Sequence, residues 1–456
     1  MIVSELNRLR EYYTTGATRS YAFRKQQLEA LKNALLRYEE EINAALLADL
    51  DKPPVECWVT EMGMVLHEID FMLKNLRRLM RPEAVGTNLI NFPSESKIIP
   101  EPLGVVLIIA PWNYPVNLLL APLVGAIAAG NCVVLKPSEL APHVATVMEK
   151  IIRETYSPHY IRLLQGEGET LIPEMLNSFR FDHIFFTGSR RVGQEIMRQS
   201  AAKLVPVTLE LGGKSPCIVE ADADIATAAK RIIVAKLVNA GQTCVAPDYV
   251  LVDESIKEKF LAAAVTCIKD FYGVEPLTNP EFGKIINEKH FNRVSGYLTQ
   301  GQLVYGGQTD PQRLRIEPTL LTNIPDGSSI LAEEIFGPVL PVISFKTHDE
   351  AVEIIKSNPY PLAFYVFTRD AEKEKQWIQE IPFGGGCVNN AGWHLLNPKL
   401  PFGGVGYSGM GSYHGPKSFE RFSHYKPILK TPTWFDPRMK YPPYRNKLSL
   451  FKRLFG

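Results

Sequence analysis

Three side chains in this sequence are of the types that acyl transfer needs, and each stands among residues that could hold it. Cys244 lies in Gly241-Gln242-Thr243-Cys244-Val245-Ala246-Pro247. It follows an apolar run over 232–240 that reads as a helix, and the glycine permits a sharp turn there. A cysteine attacks only as its thiolate, so a free pKa of ~8.5 makes local help necessary. The same residue type also serves as a small buried hydrophobe. Glu210 lies in Thr208-Leu209-Glu210-Leu211-Gly212-Gly213-Lys214-Ser215-Pro216. A carboxylate between two leucines is poorly solvated, which raises its pKa toward that of a working general base. An ordinary turn carboxylate has the same local look. Asn113, in Ala110-Pro111-Trp112-Asn113-Tyr114-Pro115, follows a strand-like run. Its amide could donate to an oxyanion or simply shape a turn.

Two further segments suit a nucleotide. Lys136-Pro137-Ser138-Glu139 follows the apolar run 132–135, so its side chains fall at a strand's carboxyl end. Lys136 and Glu139 could hold ribose hydroxyls there, and Glu139 would repel a 2′-phosphate, favouring NAD over NADP. A polar loop with a proline turn uses the same residues. The run Phe185-Phe186-Thr187-Gly188-Ser189-Arg190-Arg191-Val192-Gly193 reads as a strand, a glycine turn and a helix start, whose amides can face a pyrophosphate. Its spacing is G-x-x-x-x-G without the Lys-Ser/Thr of a phosphate loop.

These residues need a scaffold, and the pattern supplies one. Predicted strands at 105–110, 132–135, 161–164 and 183–186 alternate with predicted helices at 116–129, 145–156, 171–178 and 192–202. That alternation is the mark of βαβ crossovers in a doubly wound parallel sheet, which binds ligands at the carboxyl ends of its strands. A second α/β alternation runs from about 207 to 390. Helical periodicity over 18–50 and 59–79 predicts scaffold helices. The last stretch, 427–456, reads as an extended tail.

At 456 residues the chain has mass for about three domains at ~150 residues each. A net charge of +1 gives no nucleic-acid footprint. Six cysteines, at 57, 132, 217, 244, 267 and 387, lack CxxC spacing, so neither a disulfide framework nor a metal site is expected. Sparse cysteine suits a reducing compartment, and the N-terminus has no apolar signal core; a cytoplasmic location is expected. The apolar stretch 103–135 is broken by Pro111, Asn113, Pro115, Asn117 and Pro122, which suits a buried strand and helix better than a membrane span of ~20 residues.

Taken in order, these segments resemble the aldehyde dehydrogenase superfamily. The order is Pro-Trp-Asn, Lys-Pro-Ser-Glu, the glycine turn, the Glu210 segment, the Cys244 segment and Glu333-Glu334-Ile335-Phe336-Gly337-Pro338. The separation of Glu210 from Cys244 (244 − 210 = 34) matches as well. The stretch from Leu400 to Gly415, the short N-terminus and Asn113-Tyr114-Pro115 are similar to the class 3 branch in particular. The resemblance implies a cofactor domain with a doubly wound sheet (1–82 and 102–209), a second α/β catalytic domain (210–416), a small β oligomerisation arm (83–101 and 417–430) and a C-terminal tail (431–456). It implies that Cys244 is the nucleophile, that Asn113 and the Cys244 amide form an oxyanion hole, and that Glu210 activates the deacylating water. Trp112, Lys136, Glu139, Gly188, Ser189 and Gly193 would line the adenosine and pyrophosphate site. Glu334, Phe336 and the Leu211 backbone would hold the nicotinamide end.

The implied activity is oxidation of a medium or long aliphatic or aromatic aldehyde to a carboxylate, with NAD and also NADP as cofactors. Glu210 favours water over coenzyme A as acyl acceptor. An idle binding protein and a thioesterase-like or acylating enzyme are the competing readings. A homodimer is implied. The mixed apolar and basic tail suits peripheral contact with a membrane surface, cover for a partner subunit's tunnel, or packing on its own protein.

Overall fold

Runs of apolar residues with no polar alternation make strands covered on both faces, and two such runs lie inside a six-stranded sheet. Val105–Ile109 and Cys132–Lys136 are buried at every residue. The structure, a computed structural model, describes residues 2–455. Met1 and Gly456, the outer ends of the expected first segment and of the expected tail, lie outside the described residues.

The first sheet has six strands in the order Gly409–Met410, Val207–Leu211, His183–Gly188, Val105–Ile109, Cys132–Lys136 and Ile161–Leu163. Its five longer members are parallel, and Gly409–Met410 runs antiparallel at one edge. The chain winds outward from Val105–Ile109 to one side and then returns to add His183–Gly188 on the other. Strand order reverses between these two neighbours, which is where a doubly wound sheet opens a ligand crevice. Helix Asn117–Ala129 is apolar all round and buried from Leu118 to Ala129.

The second sheet has seven strands, from Gln302–Tyr305 at one edge through Thr319–Thr322, Val339–Phe345, Tyr249–Asp253, Pro216–Val219 and Ala363–Phe367 to Gly385–Val388. Six are parallel, and Gln302–Tyr305 is antiparallel. A third sheet joins Glu83–Val85, Glu95–Pro102 and Ser423–Lys430. The boundary expected at 210 falls inside strand Val207–Leu211, so Glu210 belongs to the six-stranded sheet.

Three expectations about elements need correction. The helix over 18–50 is two helices, Tyr21–Arg37 and Glu39–Leu50, broken at Tyr38, whose backbone is not helical. The arm segment 417–430 begins as a helix, Pro416–Arg421, because a proline at a first helical position is preset for the turn; the strand starts at Ser423. The tail is extended only in part, since Leu448–Phe455 is helical. Among the described residues no helix is long and apolar enough to cross a membrane.

Candidate active site

Helix Ile225–Leu237 ends in a turn that few sequences tolerate. Asn239, Ala240 and Gly241 all have positive φ, at 55°, 53° and 77°. Each non-glycine residue in this region costs on the order of 1–2 kcal/mol, so the surroundings must hold the turn. Gln242, fully buried, does so: its Nε2 donates to Asn239 O at 3.0 Å and Lys284 O at 2.9 Å, and its Oε1 accepts from Ile286 N at 3.0 Å. Gly241 is required for space as well, because a Cβ there would lie 2.3 Å from Gly337 O. The turn delivers Cys244 half-buried, and Tyr365 fixes the next residue by donating its hydroxyl to Val245 O at 2.6 Å. Burial pushes the Cys244 thiol up to about 12, with the carboxylates of Glu334 and Glu210 adding to the effect.

Asn113 follows Val105–Ile109 at the reversal point of the first sheet and is buried. Its Nδ2 donates to Gln242 O at 3.0 Å, which uses one of its two N–H groups. Its own carbonyl accepts from Asn239 Nδ2 at 2.8 Å. The oxyanion candidate and the nucleophile turn are thus tied directly together. Glu210 sits on Val207–Leu211 between Thr187 and Gly409. It is 2% exposed, and neither of its carboxylate oxygens has a hydrogen-bond partner. Burial drives its pKa well above the carboxylate range, only partly opposed by the Arg421 guanidinium.

Two cavities converge on Cys244. A polar cleft of about 220 Å³ is lined by Trp112, Asn113, Gly188, Ser189, Glu210, Leu211, Glu334 and Phe336. An apolar cavity of about 200 Å³ also reaches Cys244, between Val59, Met64, Leu118, Val234, Val238 and Leu396. Cys244, Leu118 and Phe402 border both.

The segment Glu333–Gly337 is pinned on its backbone. Asp248 accepts from Ile335 N at 2.9 Å, Lys214 donates to Glu333 O at 3.0 Å, and Arg293 donates to Glu334 O at 3.0 Å and Ile335 O at 2.9 Å. Phe336 is held at φ 50°, a strained conformation of the sort that concentrates at functional sites. Glu334 Oε1 is buried without a partner, and burial, with Asp248 nearby, raises the carboxyl to about 8. Beside it, a Cβ on Gly212 would come within 2.0 Å of Glu334 Oε2. An acceptor lacking donors, next to backbone kept bare, fits a ribose diol.

Lys136, Glu139 and Gly193 do not border this cleft. Lys136 is buried at the carboxyl end of Cys132–Lys136, paired with Glu139 and donating to Pro137 O at 2.9 Å, while Glu139 Oε1 accepts from Gly168 N at 3.0 Å. The pair therefore lies one strand further along the same sheet edge, as a long two-part ligand requires. Gly193 is a packing position: a Cβ would meet Leu211 Cδ2 at 2.8 Å. Gly212, which the resemblance implied to allow close approach at the nicotinamide end, also lines the cleft. Sequence reasoning missed Thr187, His290, Arg293 and Leu362, which line it too. His290 packs 5.1 Å from the Trp112 ring, and Trp112 meets Phe336 edge-on at 5.4 Å.

With this geometry in place, comparison with known proteins is decisive. Residues 10–428 match the Aldehyde dehydrogenase family. This chain belongs to that family. It is 44% identical to the 4,4'-diaponeurosporen-aldehyde dehydrogenase of Staphylococcus aureus over 97% of each chain. It is 42% identical to aldehyde dehydrogenase family 3 member H1 of Arabidopsis thaliana, over 98% of this chain and 93% of the relative. A substrate-bound state of Staphylococcus aureus AldH superposes with a TM-score of 0.98 at 43% identity, covering 100% of both chains. An indole-3-acetaldehyde dehydrogenase in complex with NAD+ superposes at 0.86 with 29% identity, covering 94% of this chain and 88% of that one. The class 3 resemblance read from the sequence and the α/β fold class are both borne out.

Proposed function

We propose that this member of the family oxidises an apolar aldehyde, medium or long aliphatic or aromatic, to its carboxylate with NAD(P) as hydride acceptor. The observation that carries the reading is that Cys244 borders both the apolar cavity and the polar cleft. Substrate and cofactor would then meet at one sulfur. Cofactor use is supported by the NAD+ complex of the indole-3-acetaldehyde relative and by the fit of Glu334 and Gly212 to a ribose.

In this reading the Cys244 thiol first passes its proton to a neighbouring base, because its surroundings hold it protonated. The sulfur adds to the aldehyde carbon, and the oxygen takes up charge beside Asn113 Nδ2 and the Cys244 amide. Loss of one such donor typically costs ~100- to 1000-fold in rate. The nicotinamide cofactor, when bound, accepts the hydride, and a thioester remains on Cys244. Glu210, a strong base once ionised because nothing solvates it, takes a proton from water. Hydroxide attack frees the acid and restores the thiol. Trp112, Lys136, Glu139, Gly188 and Ser189 would hold the adenosine and pyrophosphate, with Gly193 letting helix Arg190–Ala201 pack closely. Glu334, Phe336 and the Leu211 backbone would hold the nicotinamide end.

We assign cofactor binding to the six-stranded sheet, the nucleophile to the seven-stranded unit and dimerisation to the three-stranded arm. Exposed Leu89 and Phe92, at 80% and 66%, support the arm assignment. Peripheral contact of the tail with an anionic membrane is supported by its charge: residues 431–456 carry six Lys/Arg against one Asp, alongside exposed Trp434, Tyr444 and Leu448.

The test is reduced-cofactor absorbance with purified protein, a panel of short to long aliphatic and aromatic aldehydes, NAD or NADP, and Cys244→Ala beside the wild type. Turnover that yields a carboxylate and disappears in the variant is the expected result. Folded wild-type protein without turnover for any pair, or turnover only with coenzyme A, overturns it.

A further inference from the structure

The site contains a buried ion pair that the reaction does not use. Lys52 Nζ lies 2.6 Å from Glu61 Oε1, and both side chains have no solvent exposure. Replacing such a pair by apolar residues of similar volume commonly leaves a protein as stable or more so. Stability alone is therefore a poor reason for it, and its contacts suggest another. Lys52 Nζ also donates to Asn113 O at 3.1 Å and lies 4.3 Å from the Tyr114 ring centroid. Glu61 Oε2 accepts from Val116 N at 3.1 Å and Asn117 N at 2.9 Å, where helix Asn117–Ala129 begins. One end of the Asn113 loop is thus held by the cation and the other by the anion.

We propose that the Lys52–Glu61 pair is the positioning element of the oxyanion hole, fixing the Asn113 amide against the nucleophile turn. The proposal rests on the reading of Asn113 as the oxyanion donor. A donor must sit at 2.7–3.1 Å from the developing oxygen, so a loop free to shift by about 1 Å loses most of its effect. Asn113 has no regular structure of its own to fix it, because it falls between a strand and a helix.

The same segment holds the facing side of the hole. Glu56 Oε2 accepts from Asn239 N at 3.0 Å, and Asn239 Nδ2 bridges Asn113 O and Gln242 O at 2.8 and 3.2 Å. Glu61 faces inward from a single π turn over Trp58–Met62, a local widening of the helix that recurs at functional sites. Val59 and Thr60 of that turn line the apolar cavity. One short stretch therefore shapes the substrate wall and holds the oxyanion loop.

The experiment is a double-mutant cycle read by the rapid-mixing burst of reduced cofactor, using wild type, Asn113→Ala, Lys52→Met/Glu61→Leu and the triple variant. The paired change is expected to slow the burst about 10- to 100-fold, part of the ~100- to 1000-fold cost of removing Asn113 itself. In the Asn113→Ala background it should cost less than about 3-fold, the non-additivity of groups acting through one another. NAD affinity and the rate of Cys244 alkylation by iodoacetamide should stay within about 2-fold, which a general loosening of the site would not allow. Should the paired variant fold poorly, Glu61→Gln in the same cycle removes the charge and keeps the volume. A full, multiplicative loss in the Asn113→Ala background with either variant overturns the proposal alone. A normal burst in Asn113→Ala overturns the oxyanion reading, and the proposal with it.

Discussion

Gly212→Ala separates folding from cofactor binding more cleanly than any other substitution in this site. Its φ is not in the left-handed region, so alanine carries no backbone penalty there. The added Cβ would stand 2.0 Å from Glu334 Oε2, and ordinary contact begins at 3.4 Å, so the carboxylate must retreat by 1.4 Å (3.4 − 2.0). Because the clashing atom is the end of a flexible side chain, the fold relaxes at little cost. A shift of that size breaks a hydrogen bond from a ribose hydroxyl, and a buried donor left without its partner costs ~1–3 kcal/mol. Loss of one such bond corresponds to a roughly 5- to 150-fold weaker nucleotide complex. The assay is a fluorescence titration of NAD beside thermal melting. The expected result is a melting temperature within a few degrees of wild type and Kd raised by at least ~5-fold. An unchanged Kd would refute the placement of the ribose at Glu334, and a collapsed melting temperature would refute the claim that Glu334 yields cheaply.

Three further expectations follow from the same geometry. Glu210→Gln should leave a burst of reduced cofactor but slow turnover by ~100-fold or more, with mass spectrometry trapping an acylated Cys244; wild-type deacylation should rise with pH to a plateau set above the usual carboxylate range, because burial raises Glu210. His183 is buried and lowered to about 3 by desolvation, with the Arg421 charge adding. The unfolded chain therefore takes up its proton first, and stability present above pH ~6.5 is lost as pH falls toward 3, by up to ~1.4 kcal/mol per unit. His183→Leu should flatten that slope in pH-dependent denaturant melts, and an unaltered slope would count against the burial account. Removing residues 431–456 should abolish sedimentation with anionic phosphatidylserine vesicles while leaving neutral vesicles unbound in both forms; equal sedimentation of the shortened chain would sink the membrane reading.

Much of this site was legible because its chemistry is concentrated in short runs at strand ends. Cys244, Glu210 and Asn113 each sit where an apolar period breaks into glycine, proline or polar residues; the doubly wound sheet gathers the last two at one edge, and the turn after Ile225–Leu237 brings Cys244 to them. What escaped has no local period. His290 and Arg293 project from an amphipathic helix, Glu288–Ser295, whose polar face looks like any solvated face until the fold presents it to the cleft. Lys52 and Glu61 carry no local signal in the sequence, and only tertiary packing buries them. The positive φ of Asn239, Ala240 and Phe336 is imposed by surroundings, against local preference, so only Gly241 announced that turn. Tyr38 gave no breaker signal, which is why one predicted helix is two. Leu448–Phe455 was hidden by the prolines before it, which made the whole tail read as extended.

The short antiparallel strand Gly409–Met410, seated against Leu209 and Glu210, also sets a clock on biosynthesis. The two partners are 199 residues apart (409 − 210 = 199). At ~5–20 residues per second the ribosome needs roughly 10–40 s to supply the second after the first. Throughout that interval the strand that bears Glu210 has an open edge, the kind of template that recruits foreign strands. The arm imposes a longer wait, since Ser423 pairs with Pro102. Folding of the first sheet cannot finish in the order of synthesis, so a nascent chain stalled before Met410 exposes the Val207–Leu211 strand to aggregation and chaperone capture, while a completed chain does not.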